Sequence, residues 1–251
     1  MATLASIIAH LDQRLNIGSI PDYPGAINGL QLEGTAEVGK VGAAVDASLP
    51  VVRDAVANGV DLLIVHHGMF WSGAQPIVGG LHEKLKLALD AGMAIYSCHI
   101  PLDVHPLWGN NAILAKSIGL VDTESFFDWK GIKLGLRGEP GGSLSELVAR
   151  VEVAVGGGVH LCSAGKPEAG VVGVITGGAG GEINAIAAEG IDTFITGEGP
   201  HWSYTAAQEL GINVIYAGHY ATETFGVRAL ASHLAEEFGV GQTFLDHPTG
   251  L

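Results

Sequence analysis

The stretch Asp61-Leu62-Leu63-Ile64-Val65-His66-His67-Gly68 joins an uninterrupted apolar run to two consecutive histidines. A short run of branched aliphatic residues between turn signals is typical of a strand buried on both faces of a parallel sheet. In an open α/β sheet, ligands bind beyond the carboxyl ends of the strands, which is where His66 and His67 stand. Imidazole is also a common ligand of transition metals. The stretch therefore predicts a buried strand whose end is a candidate metal site. The alternative is that neighbouring strand residues point to opposite faces, so that one ring lies in the core and the other at the surface.

The same arrangement, an apolar run followed by histidine or carboxylate, recurs along the chain. The further segments are AIYSCHIPLD at 94–103, DTFITGEGPH at 192–201 and NVIYAGHYATE at 213–223. Because carboxyl ends of parallel strands share one edge of a sheet, strand ends of this kind predict one shared site.

Strand and helix signals alternate over most of the chain and predict an α/β fold with mostly parallel sheets, covered by helices on both faces. An amphipathic helix opens the chain at Leu4–Leu15, where apolar residues recur at helical spacing. The polar and aromatic stretch 122–130 interrupts the rhythm and is the best candidate boundary. The predicted strands are 41–45, 62–65, 94–97, 132–136, 159–162, 171–175, 193–195, 214–216 and, as an edge strand, 243–245. The predicted helices are 49–58, 81–91, 110–118, 144–153, 183–188, 204–210 and 221–238.

The composition of the chain excludes several classes of protein and of function. With 251 residues, 47% of them hydrophobic and 15% charged, the chain can bury one large core or two small ones. A net charge of −14 with 12 basic residues disfavours nucleic-acid binding, which needs phosphate neutralisation. The two cysteines, Cys98 and Cys162, indicate no disulfide framework. The absence of an 18-residue apolar run or a basic leader predicts a cytoplasmic protein without membrane contact.

His219 and Glu223 give the strongest local geometry. In a helix that begins near His219, residues four apart share one face and can hold one cation together. The plainer alternative is that Glu223 is a first-turn acid favoured by the helix dipole and that His219 is a cap residue. Asp103, after the strand at 94–97, has the alternative of capping the helix near Asn110.

Taken together, three histidines and two carboxylates favour a paired metal site. A single tetrahedral catalytic zinc needs fewer ligands, whereas two cations roughly 3.5–4 Å apart would use five. Mixed nitrogen and oxygen ligands suit zinc, iron or manganese. The positive charge of two divalent cations would exceed the negative charge of two carboxylates. The centre would therefore carry a net positive charge and attract anionic substrates. The five candidate ligands are His66, His67, Asp103, His219 and Glu223.

Several blocks of the sequence resemble one family, the Nif-three-like dinuclear metal-centre family, often labelled GTP cyclohydrolase 1 type 2 homologues. The resemblance runs in order over nearly the whole chain. The chain has Gly68 where relatives often have proline, and it lacks the inserted domain that some members carry. The blocks are Asn28-Gly29-Leu30-Gln31, His66-His67-Gly68, His99-Ile100-Pro101-Leu102-Asp103, Thr196-Gly197-Glu198 with His201, and Gly218–Val227.

The resemblance implies two α/β/α lobes with the metal pair in the cleft between them, and a homohexamer. The first lobe would comprise residues 1–125 plus 219–251, and the second residues 126–218. It implies that His67 and Asp103 hold one metal, that His66 and His219 hold the other, and that Glu223 touches both.

Some neighbouring residues are candidates of lower weight. His99, Glu198 and His201 are candidates for orienting a ligand or moving a proton, with backbone hydrogen bonding or helix capping as alternatives. The glycine-rich stretch 177–181 could cradle a phosphate, but it lacks the Gly-Lys-Ser/Thr ending of a P-loop, and tight strand-to-helix packing is the favoured explanation.

The leading hypothesis is a dinuclear-metal-dependent hydrolase that acts on a phosphorylated or nucleotide-like small molecule through a metal-activated water. The alternative is a non-enzymatic protein, either a metal-handling protein that stores or delivers iron or zinc, or a scaffold ring. Nothing in the sequence identifies a guanine pocket, so the cyclohydrolase label rests on the resemblance alone.

Overall fold

The computed structural model describes residues 2–251, which divide into two compact units. The first unit comprises the chain up to Leu102 together with Gly226–His247. The second comprises Asp103–Phe225 together with Pro248–Leu251. Each unit has a β-sheet of its own, so each is described by itself.

The elements follow one another in a strand and helix alternation. The strands are β1 (Ala2–Thr3), β2 (Gly29–Leu32), β3 (Glu37–Val38), β4 (Lys40–Asp46), β5 (Leu62–His67), β6 (Ala94–Ser97), β7 (Val121–Trp129), β8 (Ile132–Glu139), β9 (His160–Cys162), β10 (Val172–Val174), β11 (Thr193–Thr196), β12 (Asn213–Tyr216) and β13 (Gly241–Phe244). The α-helices are α1 (Leu4–Leu15), α2 (Leu49–Ala57), α3 (Gly79–Asp90), α4 (Ile100–Asp103), α5 (Asn110–Ser117), α6 (Leu144–Val155), α7 (Ile183–Ala188), α8 (His201–Leu210) and α9 (His219–Phe238), and a 3-10 helix covers Ala179–Glu182.

The first unit is built on a five-stranded sheet in the order β13-β4-β5-β6-β2. Strands β13, β4, β5 and β6 are parallel, and β2 is antiparallel to β6. The register aligns Asp46 with His67 and Val65 with Ser97, so the ends of β4, β5 and β6 lie side by side. The apolar run that precedes the paired histidines is fully buried, as the sequence predicts.

The core of the first unit joins this sheet to helices α2 and α3. Val51 and Ala55 of α2, Ala88 of α3 and Leu63 of β5 belong to one buried cluster. Helix α2 begins after Ser48, whose side chain accepts a hydrogen bond from the backbone N–H of Val51. Such a cap satisfies a donor that the first helical turn leaves unpaired.

The second unit is built on a six-stranded sheet in the order β7-β8-β10-β11-β12-β9. Strands β10, β11 and β12 are parallel, whereas the pairs β7 with β8, β8 with β10, and β12 with β9 are antiparallel. The prediction of a mostly parallel sheet is therefore wrong for this unit. Short connections allow antiparallel pairing, and β7 and β8 are joined by a tight turn at Lys130-Gly131.

Most predicted helices and strands are confirmed, with shifts of a few residues at their ends. The stretch 122–130, which is predicted to interrupt the alternation of strands and helices, lies mostly in β7 and pairs with β8. Strand β2 follows Pro21 and Pro24 and begins within Asn28-Gly29. These residues are turn signals, so the sequence predicts a loop there. Local turn signals cannot reveal pairing with β6, since that pairing is made by residues distant along the chain.

Among residues 2–251 we find no helix whose length and hydropathy would let it cross a lipid bilayer.

Candidate metal centre

Three histidine rings cluster at the ends of β5 and β6 in the first unit. The centroid of His66 lies 4.9 Å from that of His67 and 4.9 Å from that of His99, and His67 and His99 are 5.6 Å apart. Neighbouring residues of a strand point to opposite faces, but β5 ends at His67 and the two rings meet there. Strand ends thus bring together imidazoles from positions 66, 67 and 99.

His66 is fully buried, and its ring is oriented by the backbone. Its Nδ1 lies 2.9 Å from the carbonyl oxygen of Cys98. Because a carbonyl oxygen can only accept, Nδ1 carries the proton, and in a neutral ring Nε2 is then the atom with a lone pair. That tautomer is the one a metal ligand needs at Nε2.

His67 is held by a carboxylate on the adjacent strand. Its Nδ1 lies 2.9 Å from Oδ1 of Asp46, the residue that faces it in the β4–β5 ladder. Carboxylates and backbone carbonyls behind the imidazole are the usual partners that orient histidines bound to metals. Asp46 and the Cys98 carbonyl therefore give His67 and His66 equivalent support.

His99 is fixed by a loop that precedes β2. Its Nδ1 lies 2.8 Å from Oδ1 of Asp22, and its backbone N–H donates to Oδ1 of Asn28 at 2.7 Å. Burial raises the pKa of Asp22, but the hydrogen bond from His99 and its charge, with the bonds from Asn28 and the backbone of Tyr23, lower the pKa below its ordinary value. Asp22 is therefore an anion that holds the ring in place.

The donor set of this cluster fits a transition metal. The candidate ligand atoms of His66, His67 and His99 all lie within 4.8 Å of one another. Nitrogen donors with oriented rings suit zinc or iron. Trp71 packs its ring edge-on against His99, with centroids 4.8 Å apart, and so covers one side of the cluster.

A second cluster lies in the second unit, around the first turn of α9. Nε2 of His219 is 3.2 Å from Oε2 of Glu223, and Nδ1 is 2.9 Å from Oε1 of Glu198. Burial lowers the pKa of His219, but the two carboxylates outweigh it and raise the pKa to about 9. Without a metal, the ring is therefore protonated at neutral pH, and a cation that binds Nε2 must displace that proton.

Gly177 makes room for this cluster. It follows β10 with a φ of +70°, and a Cβ added there would overlap Oε1 of Glu223. Its carbonyl accepts hydrogen bonds from the backbone N–H groups of Gly197 and Glu198, and its own N–H donates to Oγ1 of Thr222. Only glycine allows the backbone both this conformation and this approach to the carboxylate.

Asp103 lies nearby in the same unit and is almost fully buried. Its Oδ1 accepts from Nδ2 of Asn110 at 2.8 Å and from Oγ1 of Thr176 at 3.3 Å. Thr176 and Gly177 are consecutive, so Asp103 contacts the same loop that approaches Glu223. A buried carboxylate supported by two side-chain donors is a suitable oxygen ligand for a divalent cation.

The structure places the predicted site residues in these two clusters. His66, His67 and His99 come together in the first unit, while Asp103, His219 and Glu223 border one loop region in the second. Of the lower-weight candidates, Glu198 contacts His219 directly, and His201 begins α8 and lines a cavity beside Glu198.

Sequence reasoning missed the residues behind the candidate ligands. Asp46 ends β4, so the strand-end rule that selected His66 could have found it. Asp22 and Thr176 show no such signal, because Asp22 lies in an irregular loop and Thr176 acts through a tertiary contact. For the glycine-rich stretch 177–181, the structure favours packing over phosphate binding, because Gly180 lies against the backbone of Glu198 and Gly199.

Comparison with known proteins identifies the family of the chain. The family model described as Duf34/NIF3 (NGG1p interacting factor 3) matches residues 2–249. The chain belongs to the Duf34/NIF3 family. The resemblance seen in the signature blocks is thereby confirmed.

Relatives of this family member match it over nearly their full length. A protein from Deinococcus radiodurans named "GTP cyclohydrolase 1 type 2 homolog" is 42% identical over 98% of this chain and 93% of its own. One of the same name from Pyrococcus abyssi is 43% identical, with 98% of each chain covered. The crystal structure of TTHA1606 from Thermus thermophilus superposes with a TM-score of 0.91 at 41% identity, covering 99% of this chain and 100% of that one.

Proposed function

We propose that this family member is a dinuclear-metal-dependent hydrolase that acts on a phosphorylated or nucleotide-like small molecule. The ligands would be His66 and His67 from the first unit with Asp103, His219 and Glu223 from the second. The metal pair would lie in a cleft between the two units. Zinc, iron and manganese all suit this mixture of nitrogen and oxygen donors.

One observation carries the proposal. In both clusters, candidate histidine ligands are held at Nδ1 by a carbonyl or carboxylate oxygen, so Nδ1 is not the nitrogen that a metal would use. Nδ1 of His66 faces the Cys98 carbonyl and Nδ1 of His67 faces Asp46. Nδ1 of His219 faces Glu198. Each contact leaves Nε2 as the nitrogen that would bind a metal. Such support behind a ligating histidine is typical of metal sites.

The chemistry follows from the residues and the charge that they would share. A pair of divalent cations, when bound, would lower the pKa of a water molecule and polarise the bond to be cleaved. Asp103 and Glu223 would neutralise two of the four positive charges, so an anionic substrate would be attracted despite the acidic chain. His99, oriented by Asp22, is suited to transfer a proton at Nε2 during hydrolysis.

The test measures metal and turnover separately. Protein purified without oxygen is analysed for zinc, iron and manganese, and is then assayed on a panel of phosphomonoesters, phosphodiesters and nucleotides. We expect about two metal ions per chain and turnover of at least one substrate, with both falling in His67→Ala and His219→Ala. His82→Ala, an exposed histidine on α3, is the matched control and should behave as the wild type.

The outcomes separate the two functions that the sequence left open. Metal retained at wild-type stoichiometry in both variants would remove these histidines from the ligand set. Full metal occupancy without turnover across the panel would contradict the hydrolase and favour metal storage or delivery.

A homohexamer and a cytoplasmic location complete the proposal and rest on the family resemblance and the composition. Light scattering on the purified protein tests the assembly, and a mass of six chains is the expected result.

A further inference from the structure

A cavity of about 420 Å³ lies in the second unit beside Glu198. Its walls come from the ends of β9 and β12, the start of α8 and the loop after β11. Aromatic rings and a carboxylate line it, together with backbone at Gly199 and Pro200. Small-molecule sites span roughly 300–1,000 Å³, so this cavity has room for one compact ligand and not for a peptide.

The aromatic wall consists of three neighbouring rings. His160 and Tyr216 face each other across the antiparallel β9–β12 ladder, with ring centroids 6.1 Å apart. The ring of Tyr204, on α8, lies 5.6 Å from that of His160. The hydroxyl of Ser203 donates to the carbonyl of Pro200 at 2.7 Å, so the phenol of Tyr216 must donate to Ser203 Oγ, also at 2.7 Å.

The polar side of the cavity leads to the candidate metal ligands. Oε1 of Glu198 contacts Nδ1 of His219, and the same carboxylate has a second oxygen, Oε2, as an acceptor. Close packing holds the loop, because a Cβ at Gly199 would lie 2.7 Å from Ser203 Oγ and 3.1 Å from the ring of Tyr216. A ligand in this cavity would therefore reach the carboxylate that supports His219.

From this arrangement we infer that the cavity binds the flat nitrogen heterocycle of a nucleoside-sized substrate. The rings of His160, Tyr204 and Tyr216 supply faces and edges for stacking, and Glu198 accepts from an N–H donor on the heterocycle. The inference rests on the proposed function, since it gives that hydrolase a place for the base and leaves the anionic group of the substrate near the metals.

The chemistry of the wall separates a heterocycle from other small ligands. A sugar ring offers less flat surface for stacking against the three rings than an aromatic heterocycle does. A planar base gains from stacking on aromatic side chains. The acidic Glu198 selects for ring N–H donors and repels phosphate, so the phosphate end of a ligand would point away from the cavity.

Binding of nucleosides to the full chain tests the inference. Guanosine, adenosine and uridine are titrated by calorimetry, with ribose as a probe that lacks the heterocycle. We expect at least one nucleoside to bind more tightly than ribose. Tyr204→Ala should weaken that nucleoside about tenfold, which is the effect of losing one stacking partner. Tyr204→Phe should bind like the wild type, because the ring is retained.

Two further variants guard against misfolding and against nonspecific effects. His160→Ala removes an exposed ring of the same wall and should also weaken the nucleoside several-fold. Leu210→Ala, an exposed apolar residue at the other end of α8, should leave binding unchanged. Equal weakening in Leu210→Ala and Tyr204→Ala would overturn the inference.

The titrations are run on protein of known metal content and again after chelation, so the inference and the proposed function can fail separately. No nucleoside binding tighter than ribose, in metal-loaded protein that turns over a phosphoester, would overturn the inference and leave the hydrolase standing. Nucleoside binding lost in Tyr204→Ala, in protein that holds metal without turnover, would support the inference while the hydrolase fails.

Discussion

Nδ1 of His67 lies 2.9 Å from Oδ1 of Asp46, and the two residues face each other at the ends of adjacent parallel strands. The register of the β4–β5 ladder thus provides a carboxylate behind a candidate metal ligand. In this geometry the carboxylate accepts a hydrogen bond from Nδ1, fixes the ring orientation and leaves Nε2 as the nitrogen that would bind a metal.

We expect Asp46→Asn to weaken metal binding at His67 by roughly 10–100-fold, because losing a partner of a ligating histidine has that effect. The metal affinity is measured by competition with a chromophoric chelator. Asp90→Asn, which removes an exposed carboxylate paired with Lys86, is the control. An unchanged affinity in Asp46→Asn would show that this contact does not support a ligand.

Gly177→Ala should reduce metal binding and stability together. A methyl group there would displace Glu223, and the φ of +70° adds a backbone cost of roughly 1 kcal/mol. Gly156 offers a matched control, because its φ is +71° and no atom lies within 4 Å of its added Cβ.

The comparison isolates the contact with Glu223 from the backbone strain. We expect Gly156→Ala to lose about the backbone cost alone and to keep its metal, and Gly177→Ala to lose more stability and most of its metal. Equal metal content in the two variants, measured by atomic emission, would contradict the role assigned to Gly177.

Metal removal should lower the stability of the wild type. A ligand that binds only the folded state adds about 2.7 kcal/mol at a free concentration one hundred times its Kd. Urea unfolding with zinc and after chelation measures this difference. His219→Ala should show little of this stabilisation by zinc, whereas His82→Ala should show the full wild-type difference. A full zinc effect in His219→Ala would separate this histidine from the metal.

Asp192 should make the metal-free protein sensitive to acid. The backbone N–H of Val171 and the Lys166 side chain hold the pKa of Asp192 below its ordinary value. A lowered pKa in the folded state gives stability that is present above the unfolded pKa of about 3.9 and is lost as the pH falls through the folded value.

Asp192→Asn is therefore expected to cost on the order of 1 kcal/mol at pH 7 and less below about pH 4. Urea unfolding at both pH values measures the difference from the wild type. Asp128→Asn, on an exposed carboxylate paired with Lys133, should show no such pH dependence. If the stability difference between Asp192→Asn and the wild type grew as the pH falls, the lowered pKa assigned to Asp192 would be contradicted.

Much of the fold was predictable because its signals are local. The apolar run 62–65 and the glycines after α2 and α6 mark element ends through periodicity and backbone preference. The antiparallel pairing of β8 with β10 and of β9 with β12 was not predictable, since it joins residues that are distant along the chain.

The sequence by itself determined which side chains could serve as ligands, because histidines and carboxylates that follow apolar strands must lie at the strand ends of an α/β sheet. Only the tertiary structure decided which groups stand behind them. Asp46 reaches His67 through strand register, Asp22 reaches His99 through a loop fold, and Gly177 approaches Glu223 through a positive φ. These contacts join residues many positions apart, and their geometry is set by packing and backbone conformation, which no local pattern of residues encodes.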